Sequence, residues 1–394
     1  MMEEAAMGTL TVNQKGRRRI EGGHPWVFSS DITEVKDVEP GAVADVLSAE
    51  RRYLGRGYYN PKSQISLRML TRQDEPVDAE FVARRVRQAA DYRAKLGLKN
   101  VCRLINAESD FLPALVVDRF GGALVMQTLS LGMEKLKEYA ADALMQLPGV
   151  QGIYERNDVP VRRLEGLEES KGFLRGQFDT QVVIEENGVK LAVDIENGQK
   201  TGYFLDQREN RAAIAPFVRG ARMLDCFCHI GSFALHAAKF GAADVTGVDI
   251  SEEAVSRAAV LSNLNGFGDR CRFTAANAFD YLREQQANKE RYDVVILDPP
   301  AFAKSRDALK SAARGYKDIN LRAMKLLNPG GFLVSCSCSQ HMTPELFDGM
   351  LLSSALDAGR ALRIVERRGQ AKDHPFLLAA PETNYLKCVI AQVM

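Results

Sequence analysis

The sequence predicts an α/β protein whose C-terminal half is a Rossmann-like, open parallel sheet, and three observations predict it. Between Met223 and Asp249 an apolar strand (Met223, Leu224) ends in Asp225 and turns through Cys226 to Gly231. An Ala- and Leu-rich helix then runs to Gly241, and a second strand, Val245 to Val248, ends in Asp249. This is one strand-turn-helix-strand unit, which presents a helix N-terminus to an anion and a carboxylate to a ribose diol. The alternation then continues. A helix from Glu252 to Leu264 has Ser251 as N-cap and Asn265-Gly266 at its end, and strands follow at Arg272 to Thr274, Asp293 to Leu297 and Phe332 to Ser335. Finally, Asp249, Asn277, Asp298-Pro299-Pro300 and Cys336-Ser337-Cys338-Ser339 each fall just past the carboxyl end of a strand, where ligands bind in open α/β sheets. One cleft would collect all four.

The glycine count bears on the ligand. A dinucleotide fingerprint places three glycines in such a turn so that the backbone can hug a pyrophosphate, and only Gly231 falls inside this one. S-adenosylmethionine has no phosphate and asks the loop only to hold an amino-acid carboxylate and let the thioether chain pass. It is therefore the expected cofactor, with a dinucleotide or an empty fold as the alternatives.

With 394 residues, 46% of them hydrophobic and 26% charged, the chain has room for two or three ordinary globular domains. No apolar run approaches the ~18 residues of a membrane span, and the opening MMEEAAMGTL is acidic where a signal peptide would be basic. A cytoplasmic location is expected. The cysteines, Cys102, Cys226, Cys228, Cys271, Cys336, Cys338 and Cys388, are odd in number and scattered, unlike a disulfide framework, so reduced thiols are expected. A formal charge of +1 argues against a globally basic nucleic-acid binder. The local cluster Lys15, Arg17, Arg18 and Arg19 reads either as a solvated turn or as a phosphate contact.

Short strands with turn punctuation fill the first 76 residues: Thr9 to Val12, Trp26 to Ser29, Ala42 to Leu47, Tyr53 to Tyr59 and Ile65 to Leu70. They predict a small β-barrel, with Trp26, the only tryptophan, as core filling. Residues 77–195 predict a middle α+β domain. AEFVARRVRQAADYRAKLG has helical apolar spacing and a glycine C-cap, Gly121-Gly122 joins two strands, and Asn187-Gly188 predicts a type I′ hairpin turn. Nothing in it has catalytic spacing. Residues 196–394 then carry the cofactor fold.

Two stretches carry chemistry. Asp298-Pro299-Pro300 sets a carboxylate at a strand end and holds the following backbone extended, because proline fixes φ and restricts the residue before it. A plain strand terminator would look the same. Phe302 offers an aromatic face for a base. In Cys336-Ser337-Cys338 a thiol stands where a pyrimidine would need one. Carbon 5 of a pyrimidine is a poor nucleophile until a thiolate adds at carbon 6, which makes the ring enamine-like. Strand alternation places both cysteines on one face. Position separates them, because a strand of about five residues starting after Gly330-Gly331 ends near Cys336 and leaves Cys338 projecting. Small-residue packing remains an alternative, as does a metal on Cys226, Cys228, Cys336 and Cys338, although C-x-C departs from the usual zinc spacing.

Over nearly its whole length the chain resembles the bacterial PUA-domain 23S ribosomal RNA cytosine-C5 methyltransferases of the large-subunit methyltransferase I type. The resemblance rests on HPWVF (24–28), RLINAESDFLPALVVDRFG (103–121), KTGYFLDQR (200–208), LDPPAF (297–302), RGYKDIN (314–320) and Ser337-Cys338-Ser339. It implies an RNA-binding PUA domain over 1–76, a middle domain over 77–195 and a class I, S-adenosylmethionine-dependent methyltransferase domain over 196–394. By position it implies that Gly231 and its loop, with Asp225 and Phe227, hold the methionine part of the cofactor, Asp249 the ribose and Asn277 the adenine. Gln207 and Arg208 would lie along the cofactor, Asp298 would serve both the cofactor side and the polar edge of the target cytosine, and Cys338 would be the nucleophile. The implied partner is 23S ribosomal RNA or a large-subunit assembly intermediate, with a homodimer left open. The chain departs from the family at Asn277, where Asp is usual, in EENGVK (185–190) for EEHGMK, and at Ala301, where other branches carry a product-releasing cysteine. Relatives that methylate guanine or amino groups share the Asp-Pro-Pro motif, but neither chemistry needs Cys338. An RNA-binding assembly factor without catalysis is the reading from another class, and cofactor affinity separates it.

Overall fold

Residues 7–303 and 307–394 are described by a computed structural model, so the acidic opening of the chain to residue 6 lies outside the described residues. The chain divides into two units. The first contains the described residues to Ile184, Val193–Leu205 and Lys372–Thr383; the second contains Glu185–Ala192, Asp206–Ala371 and Asn384–Met394.

In the first unit the N-terminal strands form a six-stranded sheet, in the order Trp26–Val27, Leu67–Thr71, Tyr53–Tyr59, Val43–Ser48, Thr9–Val12, Ile32–Lys36. Period-2 alternation drives it. Ala44 and Val46 point inward with Leu10, Val12, Val27 and Leu67 to make one small core. Two expectations change here. The basic cluster is a helix, Gln14–Glu21, rather than a turn. Asn13 caps it by accepting the Gly16 N–H at 2.9 Å, and Gly16 and Ile20, four apart, form its buried side. Trp26 is half-buried, not core filling: its indole N–H donates to Glu108 Oε1 at 2.9 Å, and a ring edge meets His24. The five-stranded sheet that follows, from Val101–Asn106 to Lys171–Gly176, packs the apolar face of helix Ala79–Lys95 through Phe81, Val82 and Val86.

The second unit is a seven-stranded sheet. Its strands are β1 (Arg222–Cys226), β2 (Asp244–Asp249), β3 (Cys271–Ala275), β4 (Tyr292–Leu297), β5 (Leu327–Ser337), β6 (Leu362–Arg368) and β7 (Lys387–Val393), in the order β3-β2-β1-β4-β5-β7-β6. Pairing is parallel from β3 through β5, and β7 runs antiparallel to both β5 and β6. Helices α1 (Ser232–Lys239), α2 (Glu252–Leu264), α3 (Ala278–Ala287), α4 (Leu309–Leu326) and α5 (Pro344–Ala358) make the crossovers. As expected for strands covered on both faces, Val294 through Leu297 are all buried. The order reverses at β1 and β4, the switch point where such sheets bind ligands. Strand β5 is longer at both ends than the sequence predicts. Leu327 already pairs with Tyr292, an irregularity absorbs Asn328 to Gly331, and the ladder runs on to Ser337 opposite Lys387.

Candidate active site

The turn after β1 is built to expose backbone. Phe227 (φ 64), His229 (φ 50) and Gly231 (φ 76) all adopt left-handed conformations, so the chain reverses sharply and delivers α1 end-on. Only glycine fits at the last position. A Cβ there would stand 2.7 Å from Cε1 of Phe273 in a backbone region that L residues avoid. Gly247 on β2 is equally forced, since its Cβ would meet Phe273 at 2.5 Å and the Cys228 sulfur at 3.1 Å.

Two carboxylates frame this turn. Asp249 holds it from β2, accepting the His229 N–H at 2.9 Å through one oxygen and the Ser251 N–H at 3.0 Å through the other. Asp225 is 1% exposed and accepts the Ala234 N–H at 3.0 Å through Oδ2, while Oδ1 has no hydrogen-bond partner among the described residues. Burial, and next the nearby charge of Asp298, push the Asp225 carboxyl well above the usual carboxylate range. A buried, unsatisfied oxygen costs about 1–3 kcal/mol. Such an atom beside a reversed glycine turn fits a polar ligand group, as the amino-acid end of S-adenosylmethionine would be.

Asn277 follows β3 and is exposed; its Oδ1 caps α3 by accepting the Phe279 N–H at 2.9 Å. Phe227, Phe279 and Phe302 form a triangle with centroids 5.9–6.4 Å apart. This brings the ends of β1, β3 and β4 to one aromatic surface, of which the sequence pointed to Phe227 and Phe302 but not to Phe279.

On the other side of the switch point, Asp298 is half-buried and accepts from Gln207 Nε2 at 2.9 Å. Gln207 is held in turn by Asn210 at 2.6 Å, and Asn210 by Arg368 at 3.0 Å. A relay of amides thus orients the carboxylate. Arg208 turns its guanidinium toward buried Glu186 (3.5 Å), which also takes Arg211 at 2.6 and 3.1 Å. The coulombic pull of Arg211, with its hydrogen bonds, outweighs burial and keeps the Glu186 carboxyl below the usual range. Arg208 therefore sits in an ion cluster under the site.

The cysteines part company at the end of β5. Cys336 is 0% exposed, opposite Cys388 in the ladder, and the hydrogen bond with Cys388, then burial, push its thiol far up. Cys338 lies just beyond the last strand residue and is half-buried, with Sγ 4.0 Å from the Pro299 carbonyl. Its two serine neighbours are pinned by a single group, because the buried hydroxyl of Tyr316, on α4, lies 3.0 Å from the Oγ of both Ser337 and Ser339. Lys387 at the start of β7 donates to the carbonyls of Ser339 and Tyr385, each at 2.7 Å. Neither residue was singled out as chemistry from sequence. Tyr316 lies in the RGYKDIN motif, which was a signal, whereas Lys387 carries none.

Cys226 and Cys228, the other C-x-C, are buried in the cofactor turn, with their thiols pushed up by burial. Among the described residues no group of three or more His, Cys, Asp or Glu could hold a metal ion.

The comparisons agree with this geometry. A family described as S-adenosylmethionine-dependent methyltransferase matches residues 161–387, and one described as PUA-like domain matches residues 10–72. Relatives named Ribosomal RNA large subunit methyltransferase I match nearly the whole chain. That of Shewanella denitrificans is 45% identical over 389 residues, covering 96% of this chain and 98% of the relative. That of Tolumonas auensis is 43% identical over 397 residues, covering 98% and 100%. Among solved structures, one described as a SAM-dependent methyltransferase from Streptococcus mutans superposes with a TM-score of 0.85 at 20% identity, covering 98% of this chain and 100% of that one. A methyltransferase complexed with SAH gives a TM-score of 0.86, also at 20% identity and with the same coverage. Those two likenesses support the fold. A glycine-forced turn between two strand-end carboxylates, the matching family over more than half the chain and the near full-length relatives lead to one conclusion: the chain belongs to the ribosomal RNA large subunit methyltransferase I family and uses S-adenosylmethionine as its cofactor.

Proposed function

We propose that the chain methylates carbon 5 of a specific cytosine in 23S ribosomal RNA through a covalent adduct on Cys338. The observation that carries this is the placement of the Cys338 sulfur past β5 against the Asp298-Pro299-Pro300 turn. Every other cysteine of the chain is buried. S-adenosylmethionine supplies the methyl group. The Gly231 turn, Asp225 and Phe227 would hold its amino-acid end, Asp249 its ribose and Asn277 its adenine, while Gln207 orients Asp298 toward the polar edge of the cytosine. Arg208 supports the segment through Glu186. Methylation at carbon 5 leaves a proton there to be removed, and Ala301 offers no group for it.

Residues 1–76 would bind the RNA, 77–195 position it, and 196–394 perform the chemistry in the cytoplasm, on 23S RNA or an assembling large subunit. No helix of the described chain is long and apolar enough to cross a membrane. A second copy of the chain is compatible with this function, and light scattering decides that point.

RNA bearing 5-fluorocytosine at the target tests the covalent route, because fluorine at carbon 5 cannot leave as a proton. A trapped adduct is expected with the native protein and with Cys336→Ala, and none with Cys338→Ala. Full methylation by both variants would remove the carbon-5 assignment and leave the amino-group or guanine alternative.

A further inference from the structure

We propose that the first unit holds a pocket for an unpaired nucleotide of the RNA, in which a base stacks on Phe111 and a phosphate meets Arg85 and Arg72. This rests on RNA being the substrate and names the form in which that RNA is gripped.

The cavity measures about 440 Å³, a size that encloses small organic groups in other proteins. The N-terminal barrel supplies one wall, from His24 and Pro25 and from the end of strand Leu67–Thr71. Helix Ala79–Lys95 supplies the other, through Arg84, Arg85 and Gln88. Three arginines, Arg72, Arg84 and Arg85, share this space with one carboxylate, that of Glu75. Arg84 pairs with Glu75, which also accepts from Thr71 Oγ1 at 2.6 Å. The cavity is thus locally basic in a chain whose formal charge is only +1.

Phe111 is the unusual residue in it. It closes the short helix Ala107–Asp110 in the left-handed region (φ 57, ψ 29), with its N–H on the Glu108 carbonyl at 3.1 Å. Glycine closes such a turn without strain, and a bulky side chain there is an outlier. Burial does not offset that strain, because Phe111 stays 50% exposed. Its ring lines the cavity instead, with the Arg85 guanidinium 5.2 Å from its centroid.

Arg85 is held for a ligand by the same arrangement. Its guanidinium also lies 5.2 Å from the Phe81 centroid, so two rings fix it, and its Nε is buried with no hydrogen-bond partner among the described residues. Burial brings the guanidinium below its ordinary value against the pull of Glu75, yet an arginine remains a cation. A partly desolvated cation beside an exposed aromatic face suits an unpaired nucleotide, whose base stacks while its phosphate neutralises the charge. Bases within a duplex have both faces already stacked and would not enter.

The test is binding of an unstructured single-stranded RNA oligonucleotide to the full-length protein, by fluorescence anisotropy, beside the same strand held in a duplex. Trp26, the only tryptophan, gives a second signal, since its ring edge meets His24 and its indole N–H bonds Glu108 of the short helix. The single strand should bind more tightly than the duplex and should change Trp26 fluorescence. Phe111→Gly relieves the backbone and removes the ring, so its melting temperature should hold or rise while single-strand affinity falls about tenfold. Phe111→Tyr keeps a ring and should bind as the native protein does. Arg85→Gln should flatten the slope of log affinity against log salt by about 0.7, the share of one phosphate on a single strand. Undiminished affinity in Phe111→Gly, an unchanged salt slope in Arg85→Gln, or a native preference for the duplex overturns the pocket even if 23S ribosomal RNA is methylated. Absence of methyl incorporation into 23S ribosomal RNA by the native protein would instead overturn the reading on which the pocket rests.

Discussion

The two C-x-C stretches of the second unit share spacing and strand class yet end in opposite environments. Cys226 closes β1 level with Leu297 of β4, and Leu297 is level with Ser335 of β5, so Cys226 and Cys336 begin almost side by side across the sheet. After Cys226 the backbone turns at once through left-handed Phe227, and the Cys228 N–H bonds the Val248 carbonyl at 3.0 Å, folding the second thiol inward under Gly247. After Cys336 the ladder continues through Ser337, held by β7, and Cys338 emerges beyond it. The fate of the second cysteine is decided by the strand partner beside the first. An antiparallel neighbour on β5 prolongs the strand by one residue and changes a packing thiol into a candidate reacting one.

The largest effect expected follows directly. Cys338→Ala should lower methylation to background, more than about a thousandfold, with cofactor affinity intact, as measured by methyl incorporation and calorimetry. Activity within tenfold of native would break the comparison. Next, Tyr316→Phe removes the hydroxyl that pins both serines flanking Cys338 and should lower kcat by roughly tenfold with little change in cofactor binding. An equal fall in both would mean that Tyr316 acts through the fold.

On the cofactor side Asp249→Ala releases both N–H groups of its turn and removes the carboxylate proposed to bind the ribose. At about 1.5–3 kcal/mol per charged hydrogen bond, S-adenosylmethionine should bind tenfold or more weakly by calorimetry. Unchanged affinity would detach Asp249 from the cofactor.

A pH test probes the ion cluster beneath this turn. His236 is fully buried between Ser232 O at 2.7 Å and Asn187 at 3.3 Å, and burial brings it down to about 4 from an ordinary 6.5. Because the unfolded chain takes that proton first, its contribution is complete above 6.5 and lost as pH falls from about 6.5 to 4, up to about 3 kcal/mol. Glu186, held low by Arg211, adds loss at still lower pH as it is protonated. Denaturation of His236→Gln should be flatter over the 6.5 to 4 window, and an unchanged slope would exclude His236 as its origin. The smallest effects are expected from Cys226→Ala and Cys336→Ala, about 1–2 kcal/mol of stability each with methylation largely kept. A dead Cys336→Ala with active Cys338→Ala would exchange their roles.

Much of the second unit was legible from the chain alone, because strand-turn-helix order, capping residues and the Asn187-Gly188 turn are local. Asn187 (φ 51) and Gly188 (φ 76) do take the two left-handed conformations that turn requires. Helix Gln14–Glu21 escaped notice because it is barely two turns long and only Gly16 and Ile20 mark its buried side. The residue types at the strand ends, Asp249, Asp298 and Cys338, were also readable, since chemistry demands them and open α/β sheets put ligands there. What the sequence by itself determined is therefore the order of elements and the list of reactive groups, both set by near neighbours. Only the tertiary structure decided that Gln207 would orient Asp298 across 91 positions, that Tyr316 would reach two serines, and that Lys387 would donate to the Ser339 carbonyl. Those pairings depend on which strands become neighbours. In β5 and β7, antiparallel pairing joins residues about fifty apart, a distance over which no local periodicity carries information.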